Sequence, residues 1–240
     1  MSKLSERTAL VTGGGTGIGQ AIAIALARDG AKVVISGRRA EPLEETVATI
    51  KGSAGEALAI QADMAKEEDV QRLVKSTLKA FDRLDILINN AGIGGGGYIH
   101  EHSIKTWDQV MSVNLRGPFL LSRAVLPMMR ANRAGHIVNI SSESGLEYYE
   151  GNGAYGVAKH ALNALGEFIQ RENQDYGIRV DTICPGMVVT DMTEDTPGLH
   201  HEKCLYPEDI AELVIWLVTR RPNIKIGTPI LIQTMLNPWE

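Results

Sequence analysis

Short aliphatic runs alternate with longer amphipathic ones along this 240-residue chain, and that alternation narrows the fold more than any other feature. TALV (Thr8–Val11), KVVIS (Lys32–Ser36), EALAIQ (Glu56–Gln61), LDILI (Leu84–Ile88), HIVNI (His136–Ile140), IRVDTI (Ile178–Ile183) and Ile230–Gln233 are the expected strands. KVVIS and LDILI are apolar on both alternating faces, as strands buried on both sides of a parallel sheet should be. Between the strands, Gln20–Arg28, Glu41–Ile50, Glu67–Phe81, Trp107–Asn132, 153–176 and Glu208–Thr219 carry helical patterning. Gly30 suits the C-terminal cap of the first helix. Pro118 and Pro127 imply irregularity or a bend in the fourth. Asn152 is placed to cap the fifth. Strand–helix alternation throughout predicts an α/β, doubly wound seven-stranded parallel sheet with helices on both faces. No linker divides the chain, so residues 1–240 are expected to form a single domain.

Bulk properties exclude several functions. The formal charge is −5, with no run of Lys or Arg, which argues against nucleic acid or an anionic membrane as partner. No apolar run is long enough to cross a bilayer, and no leader precedes the first strand, so a cytoplasmic setting is expected. Two cysteines, Cys184 and Cys204, make no disulfide framework and fit a reducing compartment.

Ligands of such sheets bind outside the carboxyl ends of the strands, so the residues just after each strand are the site candidates. After the first strand comes TGGGTGIG, Thr12–Gly19. Glycines allow a tight turn and close approach of a pyrophosphate, and the following helix N-terminus favours an anion. The pattern is T-G-x-x-x-G-x-G and matches G-x-G-x-x-G in no register. A tight turn without a ligand is the competing reading. After the second strand, Gly37 stands where an NAD-selective site would want an acid, and Arg38 and Arg39 follow. Guanidinium groups offer fork-like donors to a 2′-phosphate, which favours NADP(H) over NAD(H). The competing reading is a solvated arginine pair. After the third strand, Asp63 can accept from an adenine amino group or can cap the next helix. After the fourth, Asn89-Asn90-Ala91-Gly92 offers small residues and amides beside a nucleoside.

After the fifth strand stand Ser141 and Ser142. Tyr155 lies thirteen positions beyond Ser142, and Lys159 one helical turn further, on the same face as Tyr155. A phenol titrates near pH 10 and is a poor acid–base group at neutrality. A neighbouring ammonium favours the phenolate and is expected to lower that value. So tuned, Tyr155 could give a proton to a carbonyl oxygen as hydride reaches carbon, with Ser142 hydrogen-bonding the same oxygen. Alone, Tyr-x-x-x-Lys also describes a snorkelling lysine beside a half-buried tyrosine.

The ordered set resembles the short-chain dehydrogenase/reductase family in its single-domain, Rossmann-type form. Thr12–Gly19, Asn89–Gly92, Asn114 in SVNLRG, Ser142 in NISSESG, Tyr155-x-x-x-Lys159 and Pro185-Gly186 carry the resemblance, from about residue 5 to about 235. It implies a catalytic tetrad of Asn114, Ser142, Tyr155 and Lys159. Tyr155 would be the acid–base and Ser142 the carbonyl-orienting group. Lys159 would hold the nicotinamide ribose and lower the tyrosine pKa, and Asn114 would anchor a relay water. The cofactor set would comprise Gly13, Thr16, Gly17, Ile18, Gly19, Arg38, Arg39, Asp63, Met64, Asn90, Ala91, Gly92, Tyr155 and Lys159. Pro185, Gly186, Val188 and Thr190 would complete it at the nicotinamide end. Ser142, Tyr149, Asn152 and Met187 are the expected pocket wall for a small carbonyl or alcohol substrate. The chain departs from the family in a short, polar stretch at 190–207, the expected substrate lid. It also lacks the usual Asp-Gly-Gly turn near its C-terminus. A homodimer through helices 103–131 and 153–176, or a homotetramer, is implied.

His200, His201 and Cys204 lack a matched second pair of ligands, so no metal site is expected. Glu143, Glu147 and Glu150 lie between Ser142 and Tyr155 and would favour a polar or amine-bearing substrate, or form an exposed acidic loop. The reading is therefore an NADP(H)-dependent carbonyl reductase. Its rivals are an NAD-dependent alcohol dehydrogenase and a non-enzymatic NADP-binding regulatory protein.

Overall fold

The computed structural model describes residues 2–240. Strands β1 (Thr8–Thr12), β2 (Lys32–Gly37), β3 (Glu56–Gln61), β4 (Ile86–Asn89), β5 (Gly135–Ile140), β6 (Ile178–Pro185) and β7 (Ile230–Ile232) form one parallel sheet. Their order is β3-β2-β1-β4-β5-β6-β7. The order reverses between β1 and β4, and a crevice opens above their carboxyl ends at such a point.

Seven α-helices cover the two faces: α1 (Gly17–Arg28), α2 (Ala40–Gly52), α3 (Glu67–Phe81), α4 (Ile104–Met111), α5 (Gly117–Asn132), α6 (Gly153–Asn173) and α7 (Pro207–Val218). Period-2 alternation in the strands sorts the core into two layers. Val33 and Ile35 join Ile22 and Leu26 of α1 and Val214 of α7. Leu10 and Val34 join Leu73 of α3, Val125 of α5 and Ile169 of α6 on the other face. Each such side chain contributes roughly 1.5–3 kcal/mol on burial, which commits both faces to helix cover.

The single helix expected over Trp107–Asn132 is two helices joined by a π-helical turn at Ser112–Arg116. Pro118 sits in the first turn of α5, directly after the π turn, and Pro127 lies within that helix. Strand four begins at Ile86 rather than Leu84; Asp85, just before it, accepts with its carboxylate from Arg7, Arg83 and the Thr8 N–H. Asn152 occupies the N-cap of α6 without capping it; its Nδ2 donates instead to Ser144 Oγ at 3.2 Å. Asp63 is not a helix cap either. Lys66 holds the N-cap of α3, and Asp63 Oδ1 accepts from the Ala65 N–H at 3.0 Å.

Candidate active site

The glycine loop takes its shape from β1 and from the turn after β4. Thr12 Oγ1 donates to the Ile88 carbonyl at 3.2 Å and accepts from the N–H groups of Asn90 and Ala91 at 3.1 and 3.0 Å. Asn90 Nδ2 donates to the carbonyls of Thr12 (2.9 Å) and Gly13 (3.3 Å). Asn90, expected beside a nucleoside, lines the cleft above the loop, and its amide nitrogen also holds the loop. Gly13 has φ +65°, a conformation that favours glycine. A Cβ on Gly19 would overlap the Gly13 carbonyl oxygen and Asn90 Nδ2, so α1 can start this close to the loop only with glycine there. Thr16 is the N-cap of α1 but its side chain makes no capping bond, and no acid lies in the first turn. The first N–H groups of α1 are therefore left for an anion.

Above the loop, two connected cavities of about 190 and 270 Å³ share Gly13, Thr16, Arg39, Ala91 and Gly92. The first runs to Arg38, Asp63 and Met64. The second runs over Gly17 and Ile18 to Tyr155, Lys159 and Thr190. Residues from at least six parts of the sequence thus line one elongated cleft. Arg39 Nη2 reaches Asp191 Oδ2 at 3.4 Å across the cleft, both side chains being largely exposed. Arg38 has no such carboxylate partner among the described residues.

Of the expected tetrad, Tyr155 and Lys159 line the second cavity, whereas Ser142 and Asn114 are not part of its lining. Lys159 Nζ donates to the Ile140 carbonyl at the end of β5 (2.9 Å) and stands 5.4 Å from the centre of the Tyr155 ring. Asn114, in the π turn, clamps Ile93 in both directions, accepting from its N–H and donating to its carbonyl, each at 2.9 Å. A Cβ on Gly92 would stand 3.6 Å from Asn114 Oδ1 and 3.7 Å from Lys159 Nζ, so Gly92 separates the two. Ser142 Oγ accepts from the Ser144 N–H at 3.1 Å.

Electrostatics correct one expectation. Lys159 is 3% exposed, and burial pushes its pKa down to about 8. Burial likewise pushes Tyr155 up; the Ser142 hydrogen bond pulls it down, and the Glu143 carboxylate adds to the rise. The expected lowering of the phenol by the ammonium does not prevail, because desolvation disfavours both charged forms.

Pro185, Gly186, Met187 and Val188 are not part of the lining of these two cavities. Val188 is 5% exposed and packs into the core, while its carbonyl accepts from Thr193 Oγ1 at 2.6 Å. Met187 uses its carbonyl to bind the Leu205 N–H at 2.9 Å. Pro185 ends β6, and the Gly186 N–H is taken by the Ile232 carbonyl at 2.8 Å. Three features escaped the sequence reading. Glu143 Oε2 accepts from Gln233 Nε2 at 2.6 Å, tying the serine loop to the segment after β7. Tyr149 is pushed up by burial and by the Glu143 and Glu147 charges, so it stands beside this carboxylate. The π turn that delivers Asn114 is the third. The Glu143–Gln233 contact and the π turn have no local signal, since each depends on packing between distant segments. His200 Nδ1 meets Glu202 Oε1 at 3.2 Å, and no group of three or more potential metal ligands is gathered among the described residues.

Known proteins show the same plan. A family model described as short chain dehydrogenase matches residues 7–198. An uncharacterized oxidoreductase of Thermotoga maritima is 45% identical over 221 residues, covering 92% of this chain and 84% of the relative. Another, from Staphylococcus aureus, is 34% identical over 227 residues, with 95% and 97% covered. A solved metagenomic short-chain oxidoreductase in complex with NADP superposes with a TM-score of 0.87 at 35% identity, covering 98% of this chain and 100% of the other. An alcohol dehydrogenase from the archaeon Thermococcus sibiricus, complexed with 5-hydroxy-NADP, gives 0.88 at 28% identity, with 98% and 97% covered. A doubly wound sheet with this glycine loop and this serine, tyrosine and lysine defines a class of dinucleotide-dependent oxidoreductase. The chain belongs to the short-chain dehydrogenase family.

Proposed function

We propose that the protein interconverts a carbonyl and a secondary alcohol with NADP(H), with Tyr155 as the acid–base. The cleft suits such a dinucleotide. Gly13 and Gly19 leave room where a Cβ would intrude, the N-terminus of α1 is uncapped, and Arg38 is free for a 2′-phosphate. When bound, the nicotinamide supplies or accepts hydride. Tyr155 gives its proton to the carbonyl oxygen during reduction and takes it back during oxidation. The upward push on its pKa keeps it protonated near neutrality, the form reduction needs. Ser142 holds the same oxygen, and Lys159 holds the ribose and feeds protons toward Tyr155. Asn114, through Ile93, fixes the height of Gly92 beside Lys159. Its amide is used in both directions, so its part is one of positioning, and it is not assigned a relay water. Residues 190–207 act as the substrate lid.

The observation that carries this reading is the convergence of Tyr155 and Lys159 with the glycine loop on one cavity. Tyr155→Phe should bind NADPH as the wild type does and lose turnover by about a thousandfold or more. Near-normal turnover would remove Tyr155 from the mechanism. The NADP-bound relative supports the choice of NADP(H) over NAD(H), as does Arg38. A homodimer is proposed through α4, α5 and α6, where Ile104, Phe119 and Phe168 are exposed; light scattering at the monomer mass would refute it. Among the described residues no helix is long and apolar enough to cross a membrane.

A further inference from the structure

Another cavity lies at the amino ends of the central strands β1, β4, β5 and β6, opposite the end that carries the tetrad. It measures about 180 Å³, and its lining includes Lys3, Arg7, Arg179 and Arg220, with His136 from the start of β5. Asp85 is the only carboxylate of that lining among the described residues, and Arg7 and Arg83 already hold it. Each arginine spends little of its donor set. Arg179 Nη1 reaches the Leu217 carbonyl at 3.4 Å, and Arg220 Nε reaches the Trp216 carbonyl at 2.8 Å, both at the end of α7. A guanidinium has five N–H donors, so most remain available. Lys3 makes no side-chain hydrogen bond or ion pair among the described residues. The helix end accounts for a cation or two. It does not account for four around one hollow.

His136 adds an unmet acceptor to the same hollow. It is 3% exposed, and its Nε2 is held by Asp181 Oδ2 at 2.7 Å. Its Nδ1 is buried with no partner. Burial lowers the His136 pKa, and the Arg179 charge lowers it further against the pull of Asp181. The ring is therefore neutral, with Nε2–H donating to Asp181, which leaves Nδ1 as a lone-pair acceptor. What completes this site must bring negative oxygens to the guanidinium groups and an O–H to the imidazole.

We propose that the cavity binds a small protonated oxyanion of the inorganic phosphate type. Arg179, Arg220, Arg7 and Lys3 take its oxygens, and its O–H is donated to His136 Nδ1. Phosphate keeps at least one O–H near neutral pH. Sulfate and carboxylates keep none, so the imidazole selects against them. Binding joins the carbonyl end of α7 to β5 and β6 and offsets the mutual repulsion of Arg7 and Arg179.

The test is calorimetric titration of inorganic phosphate into the full chain at neutral pH and low salt. It is repeated with sulfate, and with the Arg179→Gln, Lys3→Gln and Arg38→Ala variants. Losing one charged donor should weaken this binding about tenfold for Arg179→Gln, and less for the exposed Lys3→Gln. Arg38→Ala, in the cofactor cleft, should leave it unchanged. Sulfate should bind about tenfold more weakly, for want of the hydrogen bond to His136. Lys3→Gln removes an exposed, unpaired side chain and will fold, so it keeps the test decisive if Arg179→Gln does not. No phosphate binding up to about 10 mM, binding indifferent to both Arg179 and Lys3, or equal affinity for sulfate would each overturn the proposal.

Discussion

Replacing Lys159 with methionine separates what this residue does for catalysis from what it costs the fold. The ammonium is 3% exposed, and its pKa falls from 10.5 to about 8 on folding. A drop of that size is worth about 3 kcal/mol, because each pKa unit corresponds to roughly 1.4 kcal/mol. Between these two values the unfolded chain binds the proton and the folded chain does not, so stability rises as pH climbs from about 8 to about 10.5. Below about 8 both states are protonated and the full penalty stands. Methionine keeps the volume and lacks the charge. It also strands the Ile140 carbonyl, which accepts from Nζ at 2.9 Å, at a cost of roughly 1–3 kcal/mol. That loss is nearly the same at every pH and cancels when two pH values are compared. Urea unfolding of wild type and Lys159→Met, followed by tryptophan fluorescence near pH 7 and near pH 10, gives the comparison. Relative to the mutant, the wild type should gain about 2–3 kcal/mol on going to the higher pH. A gap that stays constant within about 0.5 kcal/mol would refute the claim that burial, rather than the tyrosine, governs this lysine.

Other substitutions test other parts of the cleft. Arg38→Ala should weaken NADPH by about tenfold to a hundredfold and NADH little, in paired fluorescence titrations; equal losses would dismiss the 2′-phosphate assignment. Gly19→Ala should destabilise by about 1–3 kcal/mol and weaken both dinucleotides, since the new methyl overlaps the Gly13 carbonyl; an unchanged Tm and affinity would contradict the packing described. Asn90→Leu should cost about 1–3 kcal/mol in thermal unfolding, because the Thr12 and Gly13 carbonyls lose their donor, and a neutral result would show that the amide is dispensable.

The parts of the fold legible in the sequence are those set by local rules. β3 and α3 start and end where the apolar pattern does, because period-2 and period-3.6 burial leave a direct trace. The order of strands and helices dictated a parallel sheet, and the residues after each strand marked the cleft. What escaped depends on distant partners. Nothing within SVNLRG announces a π turn, which arises where α4 and α5 meet α6 and the Met64 loop. A Cβ on Gly117 would stand 3.0 Å from the Met64 carbonyl oxygen there. Asn90 lines the cleft, as its place after β4 suggests, but only the fold shows that two loop carbonyls also hold its amide. The direction of the tyrosine pKa is not legible in the sequence, because spacing shows that an ammonium is near, while only the folded structure shows how much water both groups have lost. His136 and Asp181 lie on neighbouring strands 45 residues apart, and no local pattern links them.

The central claim is that this chain moves hydride between NADP(H) and a carbonyl. Its most direct test is to titrate the purified protein with NADPH and NADH, then follow reduced-nicotinamide absorbance across a panel of ketones and aldehydes. Tighter binding of NADPH, with its consumption by at least one carbonyl and none in Tyr155→Phe, is the predicted result. Failure to bind either dinucleotide would contradict the reading of the cleft, and binding without consumption on any carbonyl would contradict the reading of the tetrad.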